Sequence, residues 1–216
     1  MDRREPLSAG RIVAAAVSVA DRGGLSAVSM RTVGRELGVE AMSLYHHVAN
    51  KEALLDALAD WIYGRIELPL AGEGWREGMT RRASSARAVL AAHPWALGLI
   101  ESRTSPGPAL LAHHDAVLGC LRRAGFPLRL ASHAFSVIDA YVYGFVLTEQ
   151  NLPFDSASAE GAGDYATAVE ALLQPYPHLA ALVGELAEGY TFADEFGYGL
   201  NLILDEIGRR LDEPPR

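Results

Sequence analysis

The chain has 216 residues, half of them hydrophobic and 21% charged, with a net charge of −8. This composition suits a packed globular chain rather than a disordered one, and the acidic balance excludes a protein that coats nucleic acid by bulk attraction to phosphate. Its single cysteine, Cys120, excludes an intrachain disulfide framework and reads as a small core residue in a reducing compartment.

There is no basic, apolar and small-residue succession of a secretory signal, nor about 20 unbroken apolar residues, so the expectation is a soluble, cytoplasmic chain without a membrane partner. The charge is uneven. Residues 1–51 carry seven basic side chains (Arg3, Arg4, Arg11, Arg22, Arg31, Arg35, Lys51) against five acids, a balance of +2 that leaves −10 for the remainder. Any nucleic-acid surface is therefore local and N-terminal.

In chain order, Ser8 is placed to cap a first helix whose Ile12, Val13, Ala16, Val17 and Ala20 recur at helical spacing until Gly23-Gly24. Ser29 can cap a short second helix, with Met30, Val33 and Leu37 on one face and Gly38 at its end. The spacing predicts a third helix from Val39 to Val48, and Asn50 caps a long fourth one carrying Leu54, Leu55, Leu58 and Ile62. Two short helices pivoting about Gly38 after a longer one have the punctuation of a helix-turn-helix.

Residues 69–74 look like a break, and beyond them only helices are predicted. One runs from Trp75 to Ala92; a short one follows Pro94; another lies between the Ser105-Pro106-Gly107-Pro108 loop and Gly125. Pro127 opens a strongly apolar segment to about Gln150, expected to be the most buried helix, and residues 153–163 read as a mobile loop. Helices from Tyr165 to Leu173, after Pro177, and from Phe192 to Leu211 complete an all-α chain. The expected organisation is a three-helix helix-turn-helix DNA-binding domain over 1–51, a connecting helix over 52–68, and a larger helical ligand-binding and dimerisation domain over 69–216.

The run Leu37-Gly38-Val39-Glu40-Ala41-Met42-Ser43-Leu44-Tyr45-His46-His47-Val48, followed by Asn50-Lys51-Glu52-Ala53-Leu54-Leu55, resembles the TetR family of bacterial regulators. The resemblance extends more weakly, toward the tetracycline-repressor branch, through Trp75, His93, Gly125-Phe126 and Leu147 to Gln150. It implies a homodimer that binds a double-stranded, palindromic operator and is released by a small-molecule effector.

Physical chemistry distributes the DNA contacts. Ala41, Met42 and Ser43 start the helix that would enter the major groove, where Met42 could meet a thymine methyl. Met30 and Arg31 open the helix before it, and Arg31 and Lys51 are cations suited to phosphate or base. Tyr45, His46 and His47 can reach phosphates or bases, whereas Leu44 and Val48 read as core. Adjacent histidines on a helix do not share a face, so no metal site is expected there.

In the remainder, the apolar 127–150 helix and the last helix, with Phe196, Leu200, Ile203, Leu204 and Ile207, are the candidate dimer elements; Gly144, Gly197 and Gly199 would permit close approach. The plainer alternative is that these faces only complete the monomer core. Asp139, an isolated carboxylate in an apolar helix, shares a face with Phe135 and suggests a ligand cavity, with Arg82, Trp95, His114 and Tyr141 as candidate companions. A salt link from Asp139 to an arginine is the structural alternative.

In the tetracycline repressor an Asn and a Phe on the helix after Trp75, and a His beyond His93, hold the drug and its magnesium; the matching positions here are Arg82, Ala86 and Ile100. The resemblance therefore carries over neither that drug nor its metal, and no cofactor is expected. No nucleophile elbow, phosphate loop or metal-spaced Cys/His set supports an enzyme. A dimeric DNA-binding regulator without a ligand is the alternative reading.

Overall fold

The computed structural model describes residues 6–156, 159–187 and 191–213. Among the described residues the regular structure is helical, and the chain divides into two compact units, residues 1–124 and 125–216.

The first unit begins with α1 (Ala9–Gly23), a 3-10 turn (Leu25–Ala27), α2 (Met30–Leu37) and α3 (Ala41–Leu44). The Ser8 hydroxyl accepts the Arg11 amide, and the Ser29 hydroxyl accepts the Thr32 amide at 3.1 Å while the Thr32 hydroxyl accepts the Ser29 amide at 2.9 Å. Those are reciprocal satisfactions of the orphan donors at a helix start. α1 packs on α2, and α2 on α3. Gly38 ends α2 at φ +67°, a left-handed conformation that a side chain would strain, and the Val39 amide bonds back to the Gly34 carbonyl at 2.9 Å. Gly34 permits the next step: a Cβ there would lie 3.0 Å from the Val39 carbonyl oxygen and 3.2 Å from the Ala41 nitrogen.

The third helix is shorter than its apolar spacing predicts. Regular α-structure spans Ala41–Leu44 and continues as tight turns to His47, with i to i+3 bonds from the Tyr45 amide to Met42 and from the His47 amide to Leu44. No side chain caps its start at Glu40, so packing of the fully buried Leu44 holds it in place.

The unit continues with α4 (Lys51–Tyr63), α5 (Trp75–Ala92), α6 (Ala96–Ser102) and α7 (Pro108–Arg123). Asn50 caps α4 through the Ala53 amide at 2.8 Å. Asp60, on α4, caps a different helix: its carboxylate accepts the Ala109 and Leu110 amides of α7 at 2.8 and 3.1 Å. Gly107 must be small for this, since a Cβ there would come 2.3 Å from the same carboxylate oxygen. Arg103, just after α6, pairs with Glu52 at 2.9 Å and Asp56 at 3.3 Å on α4. Cys120 is buried on α7, as expected.

The second unit contains α8 (Leu128–Gln150), α9 (Ala159–Leu173), α10 (Pro177–Ala187) and α11 (Phe192–Asp212). α9 starts inside the segment expected to be a loop; residues 157 and 158 lie outside the described residues. Ala162 and Ala166 are its buried stripe, and it closes on α10 through Ala166, Leu173 and Val183. α8 has the length and mean hydropathy of a membrane span. It is less buried than expected, however: Ala131, Ala134, Ile138, Val142 and Phe145 are buried, but Leu128, Val137 and Leu147 are open. Its apolar character comes from carrying apolar side chains on two faces rather than one.

Replacing Ser29 by Ala removes one half of the capping box without touching the core. It should lower stability by about 1 kcal/mol, read as a lower urea midpoint at unchanged slope; an unchanged midpoint would show that the cap contributes nothing.

Candidate functional site

Four helix starts and one glycine turn set out the side chains of the helix-turn-helix. Leu44 and Val48 are buried, so the opposite side of the same short segment faces outward. Met42 is 73% exposed and Tyr45 44%; Arg31, His46, His47 and Lys51 are exposed, and Ala41 and Ser43 half-buried. One residue of the expected set turns the other way. Met30 is only 7% exposed and belongs to the core, because it follows directly on the Ser29 cap and falls on the same face as Val33. The outward side chains thus include the cations Arg31 and Lys51 as well as the apolar Met42 and the aromatic Tyr45.

Elsewhere in the first unit, the expected effector residues separate. Arg82 is buried, at 2% exposure, and its Nε donates to Nε2 of His113 at 3.1 Å. His113, itself 1% exposed, is a site residue that sequence reading passed over in favour of its neighbour His114. Helical spacing could have found it, since His113, Val117, Cys120 and Leu121 make up the buried face of α7. Accepting at Nε2 places the imidazole proton on Nδ1, and no hydrogen-bond partner for Nδ1 is found among the described residues. Burial, and next the Arg82 charge, push the His113 pKa down to about 3, so the ring is neutral at physiological pH. Tyr63 lies beside both imidazoles, with ring centroids 5.5 Å from His113 and 6.2 Å from His114.

Trp95 does not join this group. Its indole Nε1 donates to Asp21 of α1 at 2.6 Å, and Nδ1 of His93 meets the same carboxylate oxygen at 2.8 Å. The His93 ring in turn stands edge-on to Trp61 of α4 at 5.3 Å. Trp95 is therefore a tie between the turn before α6 and the first helix.

In the second unit, Phe135 and Asp139 are half-buried on α8. Tyr141, also expected as an effector contact, is occupied in joining α8 to α11: its hydroxyl lies 3.1 and 3.0 Å from the carbonyls of Glu195 and Phe196, to which it donates, and its ring stacks on Phe196 at 5.6 Å. Gly199 makes that approach possible, because a Cβ there would come 2.4 Å from the Tyr141 hydroxyl oxygen. Gly144 and Gly197 have open space around them. Between the same helices runs a groove of about 510 Å³, lined by Leu130, Ala134, Val137, Leu202, Ile203 and Ile207 among others. Glu206 and Arg210 also line it, and Glu206 is held down to about 2 by its hydrogen bonds from Arg209 and Arg210.

Two family models match the chain. Residues 12–58 match "Bacterial regulatory proteins, tetR family", and residues 68–211 match "Tetracyclin repressor-like, C-terminal domain". The chain belongs to the TetR family. Similar proteins include the HTH-type transcriptional repressor DrrR1 of Streptomyces coeruleorubidus, 35% identical over 93% of this chain and 77% of that one. An HTH-type transcriptional regulator of Saccharopolyspora erythraea is 37% identical over 68% of this chain, and the match spans 63% of its own length. Among solved structures, the TetR-family protein ActR of Streptomyces coelicolor, in complex with actinorhodin, aligns at a TM-score of 0.76 and 26% identity over 97% of this chain and 100% of that one. The TetR-family members are transcriptional regulators. Arg82, Ala86 and Ile100, the positions that the resemblance matches to the drug-holding residues of the tetracycline repressor, are all buried.

His113 should give this chain an acid weakness. Because its folded pKa lies below the ordinary value of about 6.5, the unfolded chain binds the extra proton between pH 6.5 and about 3. Stability should thus fall with decreasing pH through that window, by up to about 1.4 kcal/mol per pH unit from this residue, and be unaffected by it above pH 7. His113→Gln should flatten the acid side of a plot of urea midpoint against pH; an identical acid limb would refute the assignment.

Proposed function

We propose that this TetR-family protein acts in the cytoplasm as a homodimeric repressor, reading a palindromic operator with the 1–51 domain and released by a small organic effector bound in the helical 69–216 domain, with 52–68 connecting them. The observation that carries the reading is the helix-turn-helix itself, in which Met42 and Tyr45 stand open to solvent and the cations Arg31 and Lys51 are exposed as well. Large apolar side chains left open on the same head as exposed cations suit a polyanion that also offers base edges. Ala41, Ser43, His46 and His47 complete the proposed contact set, and Met30 positions it from beneath.

A helix-turn-helix monomer covers one half-site, so two heads on one palindrome require two chains. The α8–α11 groove is the proposed seam, because its apolar floor and charged rim have the anatomy of a protein interface. Release by an effector is supported by the ActR–actinorhodin complex, whose chain resembles this one over nearly its full length. Taken unit by unit, the proposed effector contacts are Arg82 and His114 on α5 and α7 of the first unit and, separately, Phe135 and Asp139 on α8 of the second. An effector that prefers the released conformation weakens operator binding by the ratio of its affinities for the two states, typically 1–3 kcal/mol.

Lys51→Ala should weaken binding to an operator recovered by selection and lower the slope of log affinity against log salt by about 1. Equal affinity at every salt concentration would remove Lys51 from the contact set. Ile203→Glu should convert the dimer into a particle of one 23.2 kDa chain in sedimentation equilibrium; a persistent dimer would place the seam elsewhere.

A further inference from the structure

Met42 has, at 73%, the greatest exposure of the large apolar side chains among the described residues, and it stands on the helix proposed to enter the major groove. Its neighbours Ala41 and Ser43 are short and half-buried, so the thioether projects past them. The rest of the head is poor in one kind of base reader. Residues 1–51 contain no Gln and a single Asn, Asn50, whose Oδ1 is already taken by the Ala53 amide at the start of α4.

Adenine is ordinarily read by a bidentate amide from Asn or Gln to N6 and N7. With no free amide side chain to make that pair of bonds, the other base of an A·T pair becomes the place to read it. Thymine presents the C5-methyl, the one apolar group that a natural base pair displays in the major groove. An unbranched, polarisable side chain such as methionine adapts its shape to a small apolar partner. Resting on the operator-binding reading above, we infer that Met42 packs against the C5-methyl of a thymine in each half-site, so that this contact sets sequence preference where other regulators use an amide.

The test uses the full chain and a duplex recovered by selection from a random library. Thymines of the recovered half-site are replaced one at a time by deoxyuridine, which removes the methyl and leaves base pairing intact. Burial of one methyl is worth about fourfold in affinity, so one thymine per half-site should show a loss of about that size. Met42→Ala should weaken binding to the thymine duplex and bind the thymine and deoxyuridine duplexes equally. Met42→Leu should keep the discrimination.

A wild-type chain indifferent to every thymine replacement overturns the inference, as does a Met42→Ala variant that still distinguishes the two duplexes. Either outcome leaves operator binding standing. Failure to recover any duplex removes the operator-binding reading and the inference with it.

Discussion

At Gly34 the backbones of α2 and α3 come close enough that a single added carbon would touch both the Val39 carbonyl and the Ala41 amide. Gly38, left-handed at φ +67°, makes the turn between them. A larger residue at either position would push the two helices apart or strain the turn. With the approach fixed, Leu44 and Val48 are buried, and the residues between and beside them have nowhere to go but outward. The exposure of Met42, Tyr45, His46 and His47 follows from a contact made on the far side of the same segment.

The remaining helices of the first unit are attached to α1 and α4 by a different kind of interaction. Asp21 holds His93 and Trp95, Glu52 and Asp56 hold Arg103, and Asp60 caps α7. These are polar contacts of limited burial, of the sort that contribute a few tenths to about 1 kcal/mol each. Their sum is comparable with the 1–3 kcal/mol by which an effector and a second ligand are typically coupled. The apolar cores below them are much harder to rearrange, so the ties are the part of this unit that a modest change of conformation could exchange.

Much of the fold was legible because local chemistry decided it. Ser8, Ser29 and Asn50 cap the helices that their positions imply, and Gly38 ends α2 as its type suggests. The exceptions have physical causes. The 153–163 segment reads as a loop because it is rich in Ser, Ala, Gly and acid without apolar periodicity, yet Ala162 is buried in α9 and, one turn on, Ala166 packs with Val183 of α10. The third helix is shorter than its apolar spacing because spacing reports what is buried and says little of how tightly the backbone winds. At the site, residue type was informative and direction was not. Met30, Trp95 and Tyr141 are all of plausible chemistry, but each is turned toward a partner distant in sequence or toward the core, and His113 lies inward where His114 is only partly covered.

Cys120 lies on the buried face of α7, and a Cβ at Gly78 would lie 3.3 Å from its sulfur. Burial also raises the thiol pKa, which keeps the reactive thiolate scarce. Toward alkylating reagents and mild oxidants, then, the folded chain should behave as though it contained almost no sulfhydryl. A cysteine introduced on its surface would be the one reactive thiol, so that a spin label or fluorophore could be attached to the outward face of the helix-turn-helix in unmodified background.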